Sequence, residues 1–421
     1  MNVLFIVEQA EILEQFIDPF GVNPGFGGTS FTTLRLAQEL ARCPDAATGN
    51  LKIWLGAEHS SVQSYQGIPV AELTEENSKS WDVAILTGGS LERLYRGVLR
   101  VEATRLLAWI RHPYDWDKIH KAHKLKAELV SVGKAQFLSN VVIGGWHHHI
   151  DNLFCAERIR NAASPQPELG SSEAIQTWRV GFMGALVPSK GLHELAEQWP
   201  SICGLLRSQG KEPLLDVIGG AGLYSFHEGH PRLPCSESYG NTLERLFGAE
   251  LNRSVKFHGT LGVERYQIIR HCDVAVVNPS GQGEAFPATI LEWLALGIPV
   301  ISSQRYGCAD AMQHLHTTSI RKLDEIPGKI QTLASLNPEK LQDLKQHCLR
   351  IADLFSSQQA LIVNQWRLLL QQPMHAETIN EYLAGHIYGL LARQWLTMQV
   401  QRLKNKLRRW ARPLNRTTAS R

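Results

Sequence analysis

The sequence lacks the features that mark disulfide-stabilised, membrane-spanning and secreted proteins. Its seven cysteines are scattered and odd in number, and they include no C-x-x-C pair, which argues against a disulfide framework and a cysteine-type zinc site. No window reaches the roughly 18 uninterrupted apolar residues that a transmembrane helix needs. The leading run NVLFIV has neither the basic start nor the cleavage site of a signal peptide. These absences predict a cytoplasmic protein.

The chain also has only a small excess of positive over negative charge, and it has no short-period repeat or low-complexity tract. The formal net charge of +3 is too small to indicate nucleic-acid binding by itself. A content of 43% hydrophobic and 20% charged residues is typical of globular proteins rather than disordered or fibrous ones. At 421 residues the chain is too long for one ordinary core, so we expect two domains.

Short apolar strands alternate with helical patterns in both halves of the chain. Such strands, when separated by helices, indicate parallel sheets that are covered on both faces. In the first half we predict a helix over 29–43 and strands over 2–7, 51–57, 82–89 and 105–112, with a strand-and-helix unit over 128–142. In the second half we predict a helix over 190–207 and strands over 179–185, 214–220, 254–260, 273–280 and 299–303.

A change in composition divides the chain. Residues 161–177, NAASPQPELGSSEAIQT, are rich in Ala, Ser, Pro and Glu, a composition typical of a linker. We therefore expect one Rossmann-like α/β domain over 1–160 and a second over 178–355. The run 356–372 predicts an amphipathic helix, and 373–421 is a basic tail.

Two open α/β sheets in tandem create a cleft, and ligands bind such sheets at the carboxyl ends of the strands. The loop PGFGGTS contains Gly27 and Gly28 ahead of a helix, where the backbone can approach a phosphate or sugar closely. A plain glycine-rich turn is the alternative. Lys190 stands at the mouth of another helix, where an ammonium suits a phosphate, although a solvated lysine is equally compatible with this position.

The stretch EAFPATILE places Glu284 and Glu292 on either side of a helix N-terminus. Pro287 favours the first turn of a helix that we predict over 288–296. At about 1.5 Å per residue, the two carboxylates lie roughly 6 Å or more apart along the helix axis. Two carboxylates alone would suit an acid/base pair around a scissile bond. The anion-binding helix end between them favours hydroxyl clamps on either side of a phosphate group, the layout of a nucleotide sugar.

The second half resembles the retaining glycosyltransferases of family 4, which have the two-domain GT-B fold. The E-x7-E motif of that family is matched by Glu284 to Glu292, followed by ALGIPV. Three upstream segments match in order: G-x-L-x-x-x-K-G from Gly184 to Gly191, F-x-G-x-L from Phe257 to Leu261, and D-V-x-V-x-x-P-S from Asp273 to Ser280. The first half resembles the family only loosely.

The resemblance implies roles for individual residues. Glu284 would hold hydroxyls of the donor sugar, Glu292 would hold the ribose, and Lys190 would neutralise the diphosphate. The other implied donor-binding residues are Gly27, Gly28, Gly184, Gly259, Phe286, Pro287, Ala288 and Thr289. No metal is required in this family, because cationic side chains and the helix dipole take the leaving-group charge. The donor would be a UDP- or GDP-sugar, and a late helix would cross back to the first domain.

Two positions depart from the family. Ala185 stands where many members have an arginine that contacts the diphosphate, and Thr87 stands where a histidine is usual. His112, in WIRHPYDW, resembles a later position at which a strand ends in a histidine. It becomes the candidate catalytic contact from the first domain, with Arg111 as a phosphate partner.

Two remaining clusters invite other interpretations. His147, His148 and His149 look like a metal tract, but consecutive residues point in different directions, so we expect a partly exposed cluster without metal. Residues 391–421 form a basic amphipathic segment with tryptophans. Such a segment can contact an anionic membrane or pack on the protein body.

The sequence therefore predicts a retaining glycosyltransferase that transfers a sugar from a nucleotide-diphosphate sugar to a hydroxyl of a glycan or lipid-linked acceptor, in polysaccharide or glycoconjugate synthesis. A non-catalytic GT-B scaffold that binds a sugar nucleotide or a glycan is the alternative, and it would explain Ala185 and Thr87.

Overall fold

The structure is a computed structural model. It describes residues 1–8, 10–15, 21–25, 27–73, 80–112, 116–141, 147–164, 177–224 and 229–371. Within this part of the chain, no helix has the length and apolar character to cross a bilayer. The tail 373–421 and most of the predicted linker lie outside the described residues.

The first sheet has eight strands in the described residues, in the order β3-β4-β2-β1-β5-β6-β7-β8. All neighbours pair in parallel except β3 and β4, which form an antiparallel pair at one edge. The strands are β1 (Asn2–Ile6), β2 (Lys52–Ala57), β3 (Ser64–Tyr65), β4 (Ile68–Glu72), β5 (Ser80–Leu86), β6 (Glu102–Trp109), β7 (Glu128–Ser131) and β8 (His147–His149).

The second sheet has six parallel strands in the described residues, in the order β11-β10-β9-β12-β13-β14. The strands are β9 (Thr177–Met183), β10 (Glu212–Ile218), β11 (Val255–Phe257), β12 (Val274–Val276), β13 (Val300–Ser303) and β14 (Ser319–Ile320). The two sheets lie on either side of the predicted linker, which confirms the predicted pair of parallel α/β units. The predicted domain limits themselves stay predictions.

Helices cover the sheets. In the first half they are α1 (Glu11–Gln15), α2 (Gly28–Ala41), α3 (Pro44–Ala47), α4 (Gly88–Tyr95), α5 (Trp116–Lys124), α6 (Lys134–Val141) and α7 (Ala156–Ala162). In the second half they are α8 (Leu192–Ser208), α9 (Glu237–Phe247), α10 (Leu251–Ser254), α11 (Arg265–Ile269), α12 (Ala288–Ala295), α13 (Cys308–Ala311), α14 (Ile326–Ala334), α15 (Pro338–Ser356) and α16 (Gln359–Gln371). The major elements agree with the sequence predictions within a few residues.

One close contact fixes helix α12 on the second sheet. Trp293 of α12 is fully buried, and its ring lies against Gly181 of β9. A Cβ atom at position 181 would stand 2.2 Å from that ring, so only glycine leaves space for the tryptophan. This contact holds the helix that begins between Glu284 and Glu292 in one position.

Helix α16 crosses back to the first domain, as predicted. Helix α15 packs on α12 of the second domain, whereas α16 packs on α2 of the first. Trp366 of α16 is fully buried, and its ring meets Trp109 edge-on with centroids 5.0 Å apart. Arg105 donates a hydrogen bond to the Leu369 carbonyl near the end of the helix, and Arg367 pairs with Asp45 at 3.0 Å.

We expect Trp366→Ala to weaken the folded state strongly, because it removes the aromatic contact that docks α16. Truncation of a fully buried tryptophan costs about 3–5 kcal/mol. The midpoint of urea unfolding measures the loss. Leu368→Ala is the matched control, since Leu368 is 44% exposed on the same helix, and we expect a change within about 0.5 kcal/mol. Equal effects of the two substitutions would contradict this role of Trp366.

Candidate active site

A cleft separates the carboxyl ends of the strands of the two sheets. Among the predicted site residues, the lining includes Gly27, Gly28, His112, Gly184, Lys190, Glu284, Phe286, Pro287, Ala288, Thr289 and Glu292. Gly259 is not in the lining, although its neighbours Thr260 and Leu261 are. The fold therefore brings together residues that are up to 265 positions apart in the sequence, from Gly27 to Glu292.

Glu284 lies at the centre of the cleft floor and is paired with Lys190. The side chain of Glu284 is only 10% exposed, and the Lys190 ammonium donates directly to its Oε1. Asn278 also donates to Oε1, at 3.3 Å. A buried carboxylate without such donors would cost several kcal/mol, so Lys190 and Asn278 offset the burial of Glu284.

The loop before Glu284 has an unusual backbone, which explains its glycines. Asn278 has φ = 34°, and Gly281 and Gly283 have φ = 74° and 72°. Residues other than glycine, asparagine and aspartate rarely adopt such angles. This loop turns the chain back so that Glu284 faces Lys190 across the cleft floor.

Helix α12 begins directly after this loop, with Pro287 as its N-cap residue. Phe286 is buried and packs edge-on against Phe355, with ring centroids 6.1 Å apart. The first backbone N–H groups of a helix have no partner within it and carry partial positive charge. Because Pro287, Ala288 and Thr289 line the cleft, this helix end suits an anion between the two glutamates.

Glu292, in the second turn of α12, has one carboxylate oxygen occupied and the other available. Its Oε2 accepts hydrogen bonds from the Arg265 guanidinium at 3.1 and 3.3 Å and from the Tyr266 hydroxyl at 3.0 Å. Among the residues that the structure describes, Oε1 of Glu292 has no hydrogen-bond partner. Because Glu292 lines the cleft, this oxygen is available to accept a hydrogen bond from a ligand hydroxyl, as a hydroxyl clamp requires.

Arg265 also connects the two domains. Its Nη1 donates to the carbonyl of Asn23 in the first domain and, at 2.7 Å, to that of Gly262. A second link joins Asp310 to the backbone N–H of Ala135 at 2.9 Å. Burial of the Asp310 carboxyl raises its pKa. Both contacts join the two domains.

Three glycines allow the strand ends of the second sheet to meet closely. Gly219 has φ = 132°, and a Cβ there would stand 1.9 Å from the Gly184 carbonyl oxygen. Its N–H donates to the Gly259 carbonyl at 2.8 Å. Gly259 therefore does not line the cleft itself, but its carbonyl holds the backbone of Gly219, which does.

The first domain contributes Gly27, Gly28 and His112. Gly27 is the N-cap of α2, and a Cβ on Gly28 would meet nothing within 4 Å, so this side of the cleft is open. Buried Gln136 donates to the carbonyl of His112 at 2.8 Å and fixes the backbone that carries the imidazole. Enclosure by the cleft walls and the Lys190 ammonium lower the pKa of His112 below its ordinary value.

The two departures from the family pattern have distinct structural settings. Thr87 is 2% exposed, and its hydroxyl donates to Glu8 in a network that caps helix α4, so it does not line the cleft. Ala185 does line the cleft. His112 therefore lines the cleft, whereas Thr87, which stands where the family usually has a histidine, does not.

The histidine run forms the edge strand β8. His148 is buried and bonds Glu128 at 2.7 Å, whereas His149 stacks on Phe137 and bonds Asp151 at 3.0 Å. Within the described residues, no group of three His, Cys, Asp or Glu side chains is placed to bind a metal ion.

Several cleft residues escaped the sequence analysis. They are Arg35, Arg158, Gly219, Arg265, Tyr266 and Asn278. The asparagine directly before Pro-Ser at a strand end was a usable signal, since asparagine tolerates positive φ. The arginines had none, because nothing in a local pattern separates a cleft arginine from a surface one.

Comparisons with known proteins agree with this architecture. Residues 171–346 match the family model described as glycosyl transferases group 1. The fold is similar to that of HepE from Anabaena in complex with UDP-glucose, with 17% identity, a TM-score of 0.61, and coverage of 87% of this chain and 99% of that one. No curated protein is similar enough in sequence to count as a relative.

Two further solved structures share the fold. A glycosyltransferase from Rickettsia africae ESF-5 has 14% identity and a TM-score of 0.58, covering 89% of this chain and 99% of that one. WaaG, a glycosyltransferase involved in lipopolysaccharide biosynthesis, has 12% identity and a TM-score of 0.54, covering 88% and 100%.

Fold and site together define a GT-B protein. The predicted fold is confirmed. The match of residues 171–346 to the glycosyl transferases group 1 model agrees with the predicted glycosyltransferase class. The roles of individual site residues stay predictions.

We expect Gly219→Ala to lower the melting temperature, because a Cβ at this φ collides with the Gly184 carbonyl. A side chain in such a conformation costs more than about 1 kcal/mol. Gly204→Ala is the control: it lies exposed on α8 with open space around it, and we expect a gain of about 0.5–1 kcal/mol. A Gly219→Ala variant as stable as wild type would contradict the close contact.

Proposed function

We propose that the protein is a retaining glycosyltransferase that moves a hexosyl group from a nucleotide-diphosphate sugar to a hydroxyl acceptor. The observation that carries the proposal is the buried Glu284–Lys190 pair beside the N-terminus of α12. A carboxylate for hydroxyls, an ammonium for phosphate and a helix end for an anion meet there within one cleft.

A UDP-sugar is the donor that we favour over a GDP-sugar. Support comes from HepE, whose structure contains UDP-glucose and whose fold resembles that of this chain over most of its length. In this chain the ends of β9, β10 and β12 and the start of α12 line the cleft.

Donor binding would divide the Glu284–Lys190 pair between two parts of the ligand. An ammonium has three donors, so Lys190 can keep Glu284 and also bind a phosphate oxygen. Glu284, relieved of part of its interaction, can accept hydrogen bonds from sugar hydroxyls. On the far side of the diphosphate, the available Oε1 of Glu292 would accept from the ribose.

In a retaining transfer of this kind, the leaving diphosphate and the incoming hydroxyl share one face of the sugar. The departing phosphate oxygen takes the proton of the acceptor hydroxyl. The protein then supplies position and charge stabilisation rather than a nucleophile. Lys190 and the N-terminus of α12 would stabilise the charge that develops on the diphosphate, and His112 would contact the sugar from the first domain.

The acceptor is a hydroxyl of a glycan or a lipid-linked molecule, and the pathway is polysaccharide or glycoconjugate synthesis. The involvement of the similarly folded WaaG in lipopolysaccharide biosynthesis supports this choice. We propose a cytoplasmic protein whose residues 391–421 contact an anionic membrane, although these residues lie outside the described part of the chain. The first domain, residues 1–160, would bind the acceptor, and residues 178–355 the donor.

The test is transfer or hydrolysis of UDP-, GDP- and ADP-sugars by the purified protein. We expect turnover with a UDP-sugar, and a loss of about 10²–10³-fold in kcat for Lys190→Ala and for Glu284→Gln, since each removes a charge that contacts the reacting groups. Lys256→Ala, on the exposed edge strand β11, should keep wild-type turnover.

Full activity of both site variants would contradict the assignment of this site. Donor binding without turnover by any sugar nucleotide, in the presence of glycan acceptors, would favour the non-catalytic scaffold instead.

The ionisation of His112 gives a pH prediction. Because desolvation, Lys190 and Lys118 all disfavour the imidazolium, His112 should be mostly neutral at pH 6.5, at which a free histidine is half protonated. Titration of the imidazole by NMR, with His112→Asn to identify its signal, measures this. Lys118→Ala should raise the His112 pKa toward 6.5. A His112 pKa above 6.5 in the wild-type protein would show that the carboxylate of Glu284 outweighs the cations.

A further inference from the structure

The charged residues that line the cleft are distributed unequally between its two walls. The second domain contributes two cations and two carboxylates: Lys190, Arg265, Glu284 and Glu292. The first-domain wall, which includes the start of the connecting helix α7, contributes three cations and no carboxylate: Arg35, Arg111 and Arg158. The donor half of the described lining is therefore neutral, whereas the other half is positive.

The ion pairs of these residues also differ between the two walls of the cleft. Lys190 pairs with Glu284, and Arg265 pairs with Glu292, so each cation of the donor half has its own carboxylate. On the first-domain wall, Arg35 and Arg158 both contact the carboxylate of Glu39, at 2.5 and 3.3 Å. Arg111 has no carboxylate partner among the described residues.

Arg111 is held in place by neutral groups. Its Nη2 donates to the buried side-chain oxygen of Asn152 at 2.7 Å, and its guanidinium lies over the Trp109 ring, 4.7 Å from the centroid. Its Nη1 is shielded from solvent and has no hydrogen-bond partner among the described residues. A shielded cationic N–H group without an acceptor costs free energy, which an anionic ligand would recover.

A comparison with Arg265 shows that this setting is unusual within the same cleft. Burial lowers the pKa of Arg111 to about 9, and no acid offsets that effect. At Arg265, burial acts in the same direction, but the Glu292 carboxylate outweighs it and the pKa is raised. The described residues thus supply a carboxylate counter-ion to Arg265 and none to Arg111.

The position of Arg111 points to the acceptor rather than to the donor. It follows strand β6 of the first domain and directly precedes His112, opposite the wall that carries Lys190 and Glu284. Lys118 adds positive charge on the same side, since it too acts electrostatically on His112. A group bound at Arg111 would therefore lie beside the expected reaction centre but on the acceptor side.

We propose that the acceptor carries an anionic substituent, a phosphoryl or a carboxyl group, that Arg111 binds. The planar guanidinium matches either group through two parallel N–H···O bonds. The inference rests on the proposed function, because it assumes that the cleft binds a sugar donor and an acceptor at once. It goes further by naming the charge of the acceptor and the residue that selects it.

The experiment measures the binding of matched sugars to protein saturated with UDP, so that the donor site is already occupied. Galactose 6-phosphate, galacturonate and galactose differ only at C6, which carries a phosphate ester, a carboxylate or a neutral hydroxyl. Their binding is followed by ligand-observed NMR. We expect one or both charged sugars to bind about tenfold or more tightly than galactose, an increment of about 1.4 kcal/mol for the charged contact. The phosphate and uronate samples distinguish the two kinds of anion.

Variants at position 111 test whether Arg111 causes the preference for charged sugars. Arg111→Gln should abolish the preference for charged sugars and leave the Kd for UDP unchanged. Arg111→Lys keeps the charge but not the planar fork, so it should retain a weakened preference, and it also serves if Arg111→Gln folds poorly. Arg96→Gln, which alters an arginine that is 69% exposed on the first domain, should behave as wild type.

Three outcomes would overturn the proposal. Equal binding of charged and neutral sugars to the UDP complex would exclude an anion site on the acceptor side. A charge preference that persists in Arg111→Gln would place the anion elsewhere. Weaker UDP binding by that variant would assign Arg111 to the donor diphosphate. Failure of the wild-type protein to bind UDP or any other nucleotide diphosphate would instead contradict the proposed function, which separates the two failures.

Discussion

A carboxylate that is buried at the floor of a cleft needs a cation or several donors, and the donor half of this site depends on that constraint. Glu284 meets it with Lys190 and Asn278, and Glu292 meets it with Arg265 and Tyr266. Lys190 follows β9, whereas Arg265 and Tyr266 belong to helix α11, so each glutamate depends on a cation from another part of the second domain. The site can therefore form only when the second sheet is complete, because its strand ends hold the partners in place.

The separation of the two carboxylates depends on how rigidly α12 is held. Trp293 fills the space above Gly181, and Phe286 packs against Phe355 of α15, so both ends of the helix are fixed by aromatic contacts. Packing at this density leaves little freedom for a shift of a helix along the sheet. As a result, the distance between the sugar-side and ribose-side clamps is set by the core and not by the loops of the cleft.

The sequence predicted the parts of this arrangement that are encoded locally. Helix α12, the strand ends that precede Lys190 and Asn278, and the crossover helix all follow from apolar periodicity and from Pro and Gly signals. The partners of the charged groups were not predictable, because Arg265 and Glu292 are 27 positions apart and meet only through the fold. The same holds for Thr87: its burial in the cap of α4 depends on Glu8, which is 79 positions away. The short strands β3 and β8 were also missed, since two or three residues carry no periodicity.

The acceptor side differs physically from the donor side. Arg111 rests on Trp109, Trp109 packs on Trp366, and Trp366 belongs to the helix that returns from the second domain. The guanidinium is thus positioned by an aromatic stack that exists only when α16 is docked on the first domain. Arg265, with its hydrogen bond to Asn23, forms a second connection from the donor half to the first domain. Both connections cross between the domains. The relative position of the two domains therefore sets the distance between Arg111 and the paired charges of the donor half. Selection of an anionic acceptor would then be a property of the closed two-domain structure, and neither domain alone would possess it.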